Sequence, residues 1–218
     1  AVEVEVEVIL ALNPLDEMLS LWDVDAEVSD LTELCIVAAT NNLRCEEIGN
    51  PSAAEIQSIN RPMLISLMAS EPSAQGNEGP STEINAEPLH FLVESLDDLE
   101  FQLSRNDVDL SLSAIELEDL IIGSAVYIWK PPLGFSDSVR LNDSNWAVLN
   151  WLQPRLSEID PELSQLITGG RYSQPISEGV GEFQRRYGLA ADGVLGQRTL
   201  MKFNQLDQSV PVLAAEGL

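Results

Sequence analysis

The chain is poor in basic residues, in histidine and in cysteine, and each shortage closes off a class of function. Eleven lysines and arginines stand against 36 aspartates and glutamates in 218 residues, a formal net charge of −25. Such a surface repels nucleic acid and anionic membranes, so neither is expected as a partner. One histidine and two cysteines, at no metal-ligand spacing, leave no set from which a zinc site can be built. No cofactor is expected. Long apolar runs are also missing, because the best of them, Leu117 to Trp129, is broken by Glu118, Asp119 and Gly123. The N-terminus lacks the basic start, apolar core and cleavage site of a leader. For a protein working outside the cytoplasm, this chain is then a fragment downstream of a membrane anchor or a mature form, and the fragment is the expectation.

What charge there is lies unevenly. Through Trp129 there are 26 acidic and 3 basic residues; from Lys130 onward there are 10 and 8. Surfaces so different imply two domains, 1–133 and 134–208, with a tail at 209–218. A hydrophobic content of 44% supplies two modest cores.

The first domain reads as α+β. Helices are expected at Leu12 to Leu21, Asp30 to Thr40 and Ala53 to Ile59, with a strand at Leu43 to Ile48 and a buried one at Met63 to Met68. Ala69 to Leu89, rich in Ser, Gly, Glu, Asn and Pro, reads as a mobile loop. His90 to Ser95, Leu99 to Leu103 and Val108 to Ser111 form an antiparallel meander turning at Asp97-Asp98 and Asn106-Asp107. Ser113 and Glu116 make a capping box for a short helix ending at Gly123, and Ala125 to Trp129 is the closing strand. The opening VEVEVEV suits an edge strand or an extended connector. Cys35 falls in the second helix and Cys45 beyond it. A disulfide across that turn, two buried free thiols and a reactive nucleophile are the alternatives.

In the second domain Trp146, Leu149, Leu152 and Leu156 recur at helical intervals, with Asp143 or Ser144 as the cap. Asp160-Pro161 caps a short connecting turn through Leu163 and Leu166. Val180 to Thr199, VGEFQRRYGLAADGVLGQRT, is the most informative stretch. Val180, Phe183 and Tyr187 share one helical face behind a Ser177 cap, and Gly188 stands where a left-handed residue ends the helix. Asp192-Gly193 makes a turn, and Gly196 opens a helix whose Leu200 and Phe203 face back. Phe183, Leu189, Val194 and Phe203 belong to the core, and Thr199 to a bond within its helix. Gln184, Arg185, Tyr187, Asp192, Gln197 and Arg198 add amide, guanidinium, phenol and carboxylate groups to this stretch.

The pattern FQxxxGLxxDGxxGxxT, with Phe183, Gln184, Gly188, Leu189, Asp192, Gly193, Gly196 and Thr199 in place, resembles the small three-helix peptidoglycan-binding domain of bacterial envelope proteins. That resemblance implies a glycan and stem-peptide ligand, for which Gln184, Arg185, Tyr187, Asp192, Gln197 and Arg198 are the candidate contacts: arginine pairs with a carboxylate and tyrosine covers a sugar face. The first domain resembles the bacteriocin-processing cysteine peptidases, a papain-like fold, through Pro62 before a strand and His90-Phe91-Leu92-Val93 where those enzymes carry their catalytic histidine. Their nucleophile lies in the first helix, where Leu10 to Leu21 holds no cysteine. Their orienting aspartate follows the strand Leu99 to Leu103, where Ser104, Arg105 and Asn106 stand and Asp107 is a loose substitute. The resemblance therefore implies a degenerate peptidase-like domain without activity, with His90 beside a vestigial cleft.

LSLWDVD, Cys35, LRC ending at Cys45, INRPM and IWKPP together resemble the periplasmic region of the A components of bacterial type II secretion systems. That likeness implies a noncatalytic module that binds peptidoglycan, works with a B component and helps the secretin assemble through the wall. It also implies attachment to an inner-membrane protein and allows a homo-oligomer. The ATPase that precedes this region in the family has no counterpart here, and no phosphate loop occurs. The rival expectation is an enzyme: a peptidase using Cys35 with His90, or a wall hydrolase.

Overall fold

The computed structural model describes residues 13–68, 89–97, 99–106, 108–159, 161–165, 167, 170–206 and 210–214. These divide into two compact units. The first takes in the described residues of 13–41, 45–128 and 212–214, and the second those of 42–44 and 129–211. The VEVEVEV opening, residues 69–88 of the expected loop and the Asp160 cap lie outside the described residues.

In the first unit, α1 (Pro14–Ser20) starts where Asn13 Oδ1 accepts from the amides of Leu15 and Asp16 and Pro14 fixes the first helical φ. Asp30 caps α2 (Leu31–Thr40) by accepting from Glu33 N at 2.9 Å. β1 (Arg44–Gly49) follows, then α3 (Ala53–Ile59), closed by a capping box of Ser52 and Glu55, then β2 (Met63–Leu67). β3 (Leu89–Asp97), β4 (Glu100–Arg105) and β5 (Val108–Ser113) form the expected meander, with Leu89 in the strand rather than the loop. The Ser113/Glu116 box is present at α4 (Ala114–Leu120), which ends three residues short of Gly123; β6 (Ser124–Trp129) completes the sheet.

Sheet order is β1-β6-β2-β3-β4-β5. β6, the last strand in sequence, therefore lies between β1 and β2, and its side chains from Ala125 to Trp129 are buried. Met18, Leu19, Leu34, Ile56, Leu64 and Leu92 fill the core on α1, α2, α3 and the central strands. Part of the expected tail belongs to this unit. Leu213 is buried, its carbonyl accepts from Leu96 N at 2.8 Å, and Asn60 exchanges two hydrogen bonds with the backbone of Ala214.

The second unit is helical: α5 (Trp146–Ile159), α6 (Pro161–Gln165), α7 (Gln174–Arg186) and α8 (Gln197–Leu206). Leu149, Leu152 and Leu156 of α5 are buried with Val180, Phe183, Leu200 and Phe203, and the rings of Phe183 and Phe203 stack at 3.8 Å between centroids. Two expected caps are corrected. Asn145, not Asp143 or Ser144, caps α5, since its Oδ1 accepts from Val148 N; Asp143 instead closes the preceding turn by accepting from Arg140 N. Ser177 lies a turn inside α7, which begins after Ser173. Trp146 is not core: at the first position of α5 it is 61% exposed. Among the described residues no helix is long and apolar enough to cross a membrane.

Candidate functional site

The end of α7 sets the geometry of the motif. Gly188 takes φ +68°, Leu189 N donates to Gln184 O at 2.8 Å and Gly188 N to Arg185 O at 3.4 Å, the paired bonds of a Schellman stop. The chain then reverses through Asp192-Gly193. Asp192 Oδ1 accepts from Val194 N at 2.9 Å, and Gly193 takes φ +66°. A methyl group on Gly193 would lie 2.5 Å from Ser177 Oγ and 2.6 Å from Ser177 O, so the position admits no side chain.

Three polar side chains, two of them buried, hold this turn. Gln184 is 2% exposed; its Oε1 accepts from Gly193 N at 2.8 Å, while Nε2 lies within 3.0 Å of Asp192 Oδ1, Val194 O and Thr199 Oγ1. Tyr172 donates to Gly193 O at 2.8 Å, and burial first, then the Asp192 carboxylate, raises its hydroxyl pKa and keeps it a donor. Ser177 donates to the same carbonyl at 3.0 Å. Gln184 is thus corrected from a candidate ligand contact to a brace of the turn, because its amide is enclosed and bonded. Thr199 bonds to Gln184 and Val194 rather than within its helix.

The remaining candidates differ in access. Arg185, Asp192 and Arg198 are exposed, and Tyr187 and Gln197 are half-buried. The Tyr187 ring leans on Phe183 at 4.7 Å, and Lys202 Nζ lies 5.0 Å from its centroid, so a cation already covers part of that ring. Lys202 was missed in the sequence, although it stands one turn beyond Arg198 on α8. Trp146 was missed as a surface group because helical spacing assigned it inward. Its ring and backbone press on Gly170, where a methyl group would come within 2.9 Å of the indole, leaving the rest of that side chain to solvent.

In the first unit His90 on β3 pairs with Ser66 on β2, and Nδ1 shares a 3.1 Å hydrogen bond with the serine hydroxyl. Cys35 is bonded to Cys45, with Cα atoms 5.4 Å apart, so of the three alternatives the disulfide is the one formed. A disulfide sulfur is no thiolate nucleophile, and Cys35 with His90 is not a catalytic pair in this state. α1 carries no thiol either. It does carry Glu17, whose Oε2 lies 3.0 Å from Ser104 Oγ, with Glu94 Oε1 2.8 Å away on the other side. A hydroxyl has one proton to give, so one of these carboxyls must supply another. Burial, then Glu94, raises the Glu17 pKa to about 7. Among the described residues no group of three or more His, Cys, Asp or Glu side chains is placed to hold a metal.

Residues 149–203 match the family described as "Putative peptidoglycan binding domain". Over 213 residues, 95% of its length, the chain is 27% identical to General secretion pathway protein A of Aeromonas hydrophila, and it spans 35% of that protein. Among solved structures, a periplasmic domain of the EpsAB fusion protein of the Vibrio vulnificus type II secretion system superposes with a TM-score of 0.53 at 17% identity, covering 98% of this chain and 94% of that one. The two share a fold. The N-terminal peptidase C39 like domain of the toxin secretion ATP-binding protein from Vibrio parahaemolyticus covers 55% of this chain at a TM-score of 0.36, which carries no argument about the cleft. The chain is therefore similar, along nearly its whole length, to a general secretion pathway protein A, and residues 149–203 are similar to the peptidoglycan-binding family.

Proposed function

We propose that the second unit binds peptidoglycan and so holds a type II secretion assembly at the cell wall, in the periplasm, as part of a protein anchored in the inner membrane. The observation that carries this reading is the turn at Asp192-Gly193, braced by Gln184, Tyr172 and Ser177, within the 149–203 match. Bracing of that kind presents the surrounding side chains at fixed positions, which lowers the entropy lost on binding. Arg185 and Arg198 are the groups for stem-peptide carboxylates, Asp192 and Gln197 for amides and hydroxyls, and Trp146 rather than the lysine-covered Tyr187 for a sugar face.

The module acts by position, not by catalysis. With Cys35 in a disulfide and no thiol in α1, cysteine-peptidase chemistry has no thiolate nucleophile. Secretion components, the B component first among them, are the protein partners, and the wall-held assembly helps the secretin pass through the wall. Weak affinity of one copy is raised when several copies are linked in an oligomer.

Cosedimentation of the full chain with isolated sacculi tests the reading. The wild-type chain pellets with the wall, while the double replacement Arg185→Ala, Arg198→Ala, at exposed positions that leave the fold intact, reduces the pelleted fraction about tenfold. A chain that stays in the supernatant even when crosslinked into oligomers would remove peptidoglycan as the ligand.

A further inference from the structure

Three segments of the second unit meet at the start of α5, and the turn at Asp192-Gly193 does not account for their surface. Residues 133–134 enter through Gly134, whose carbonyl accepts from Asn145 Nδ2 at 3.1 Å and where a methyl group would crowd Ala147 at 3.2 Å. Residues 140–145 pair with 170–172: Ser144 bridges Arg171, Asn142 N donates to Tyr172 O at 2.8 Å, and Tyr172 N donates to Asp143 O at 2.9 Å. Asn145 N donates to Gly170 O at 3.1 Å, and the backbone of Gly170 lies against Trp146. This junction is continuous with the braced turn, because Tyr172 also donates to Gly193 O and Val139 exchanges two backbone hydrogen bonds with Leu195.

The surface formed there is apolar and cationic at once. Among the described residues of the second unit, the large apolar side chains left exposed are Leu133, Leu141 and Trp146, and all three stand on these segments. Leu133 is 75% exposed. Trp146 is exposed yet fixed: Gly170 at φ +70° sets bare backbone beneath the indole, where a side chain would displace it. An aromatic surface held in advance loses little entropy when it is covered. The residue after Gly170 is the exposed Arg171, steadied by a 3.2 Å hydrogen bond from Nη2 to Asn142 Oδ1. Three apolar side chains fall short of the roughly 800 Å² that each partner buries in a stable protein interface. One indole matches the apolar face of one sugar ring, and a guanidinium matches a carboxylate.

We propose that this junction is the seat of a muramyl unit: an N-acetylated sugar ring lies on Trp146, its acetyl methyl meets Leu133, and Arg171 takes a carboxylate of the peptide arm that the sugar carries. Arg171 is then a ligand group that the 180–199 motif does not contain. The inference rests on the reading that the second unit binds peptidoglycan, and it adds which part of the polymer is held. An unsubstituted N-acetyl sugar offers the ring alone and a free peptide the carboxylate alone, so the seat discriminates the substituted sugar from both.

The test titrates muramyl dipeptide into the isotopically labelled full chain to roughly 10 mM, beside N-acetylglucosamine and the free dipeptide, and follows the indole N–H signals. The Trp146 signal is identified by its loss in Trp146→Phe. It shifts and saturates with muramyl dipeptide, which binds about tenfold more tightly than either fragment. Arg171→Gln, which keeps a donor for Asn142, lowers that affinity about tenfold and leaves binding of N-acetylglucosamine unchanged, and Trp146→Ala lowers the fraction pelleted with sacculi about tenfold. No shift at Trp146, equal affinity for all three probes, or unaltered binding by Arg171→Gln would overturn the proposal. Full pelleting of Trp146→Ala beside a pelleting wild type would overturn it too, while keeping the wall as the ligand of the second unit. A wild-type chain that neither pellets nor shifts would remove wall binding and this inference together. A concentration-dependent dimer abolished by Trp146→Ala would make a second copy the occupant and overturn the proposal.

Discussion

Each unit buries four polar or charged side chains among the described residues, and the two sets are used differently. In the first unit they are Asp16, Asn60, Arg61 and Ser104; in the second, Ser164, Gln184, Thr199 and Asn204. Three of those in the first unit are stitches between distant parts of the chain. Asp16 accepts from Val28 N, Asn60 ties to Ala214, and Ser104 reaches Glu17. In the second unit Gln184 and Thr199 converge, with Tyr172 and Ser177, on the one reversal at Asp192-Gly193. Stability in the first unit is thus spread over its sheet. In the second, Asn204 also reaches far, to Lys130 O, but two of the four meet at a turn that carries candidate ligand groups.

The sharpest way to break that comparison is Gly193→Ala. A methyl group would overlap Ser177 at both Oγ and O, in a backbone conformation with positive φ, so relief requires moving α7 from the turn. The expected cost is on the order of 3 kcal/mol, within the range for steric overlap combined with strain. Hydrogen exchange followed by peptide should show protection lost in α7 and α8 and kept in β2, β3 and β6. Loss of protection in both would mean that the turn is not a local keystone.

The first unit has one concentrated feature of its own, the disulfide, and removing it gives the next largest effect. Cys35→Ser with Cys45→Ser releases a short closed loop, for which loop-closure entropy predicts a loss of about 2 to 3 kcal/mol. Protection should fall in α2 and β1 and leave the Asp192 turn unchanged. A double variant as stable as the parent would show that the bridge adds nothing to the seating of α2.

The same contrast explains what could be read from the sequence. The 180–199 motif was legible because its hydrogen bonds close within 15 residues, from Gln184 to Thr199, and because only glycine fits at Gly193. Local signals served the first unit as well: Asp30, the Ser113/Glu116 box and the period-two meander each act within a few residues. The position of β6 between β1 and β2 was not legible, since strand order depends on nonlocal pairing. The docking of Leu213 and Ala214 was hidden for the same reason, because Asn60 lies 154 residues from its partner. Trp146 fits the helical period of the core yet lies outside it, because Gly170 occupies the space beneath the indole. Gln184 looked like a ligand group because composition does not tell an enclosed amide from an exposed one.

The smallest expected effect tests the spread-out side of the comparison and concerns Glu17. Its carboxyl on α1 faces Ser104 of β4 and Glu94 of β3, with Asp109 of β5 adding repulsion, and its pKa rises from the ordinary 4.5 to about 7. The folded chain therefore holds this proton over a window in which the unfolded chain has released it. The resulting stability is fully present below pH 4.5, declines as pH rises, and is gone above about 7. Glu17→Gln has no proton to release, so the urea midpoint of the first unit should fall less steeply across that window, and at neutral pH the variant should be the more stable chain. The side chain is partly open to water, which screens the repulsion and keeps the difference small. Parallel slopes for the two chains would mean that Glu17 does not retain the proton.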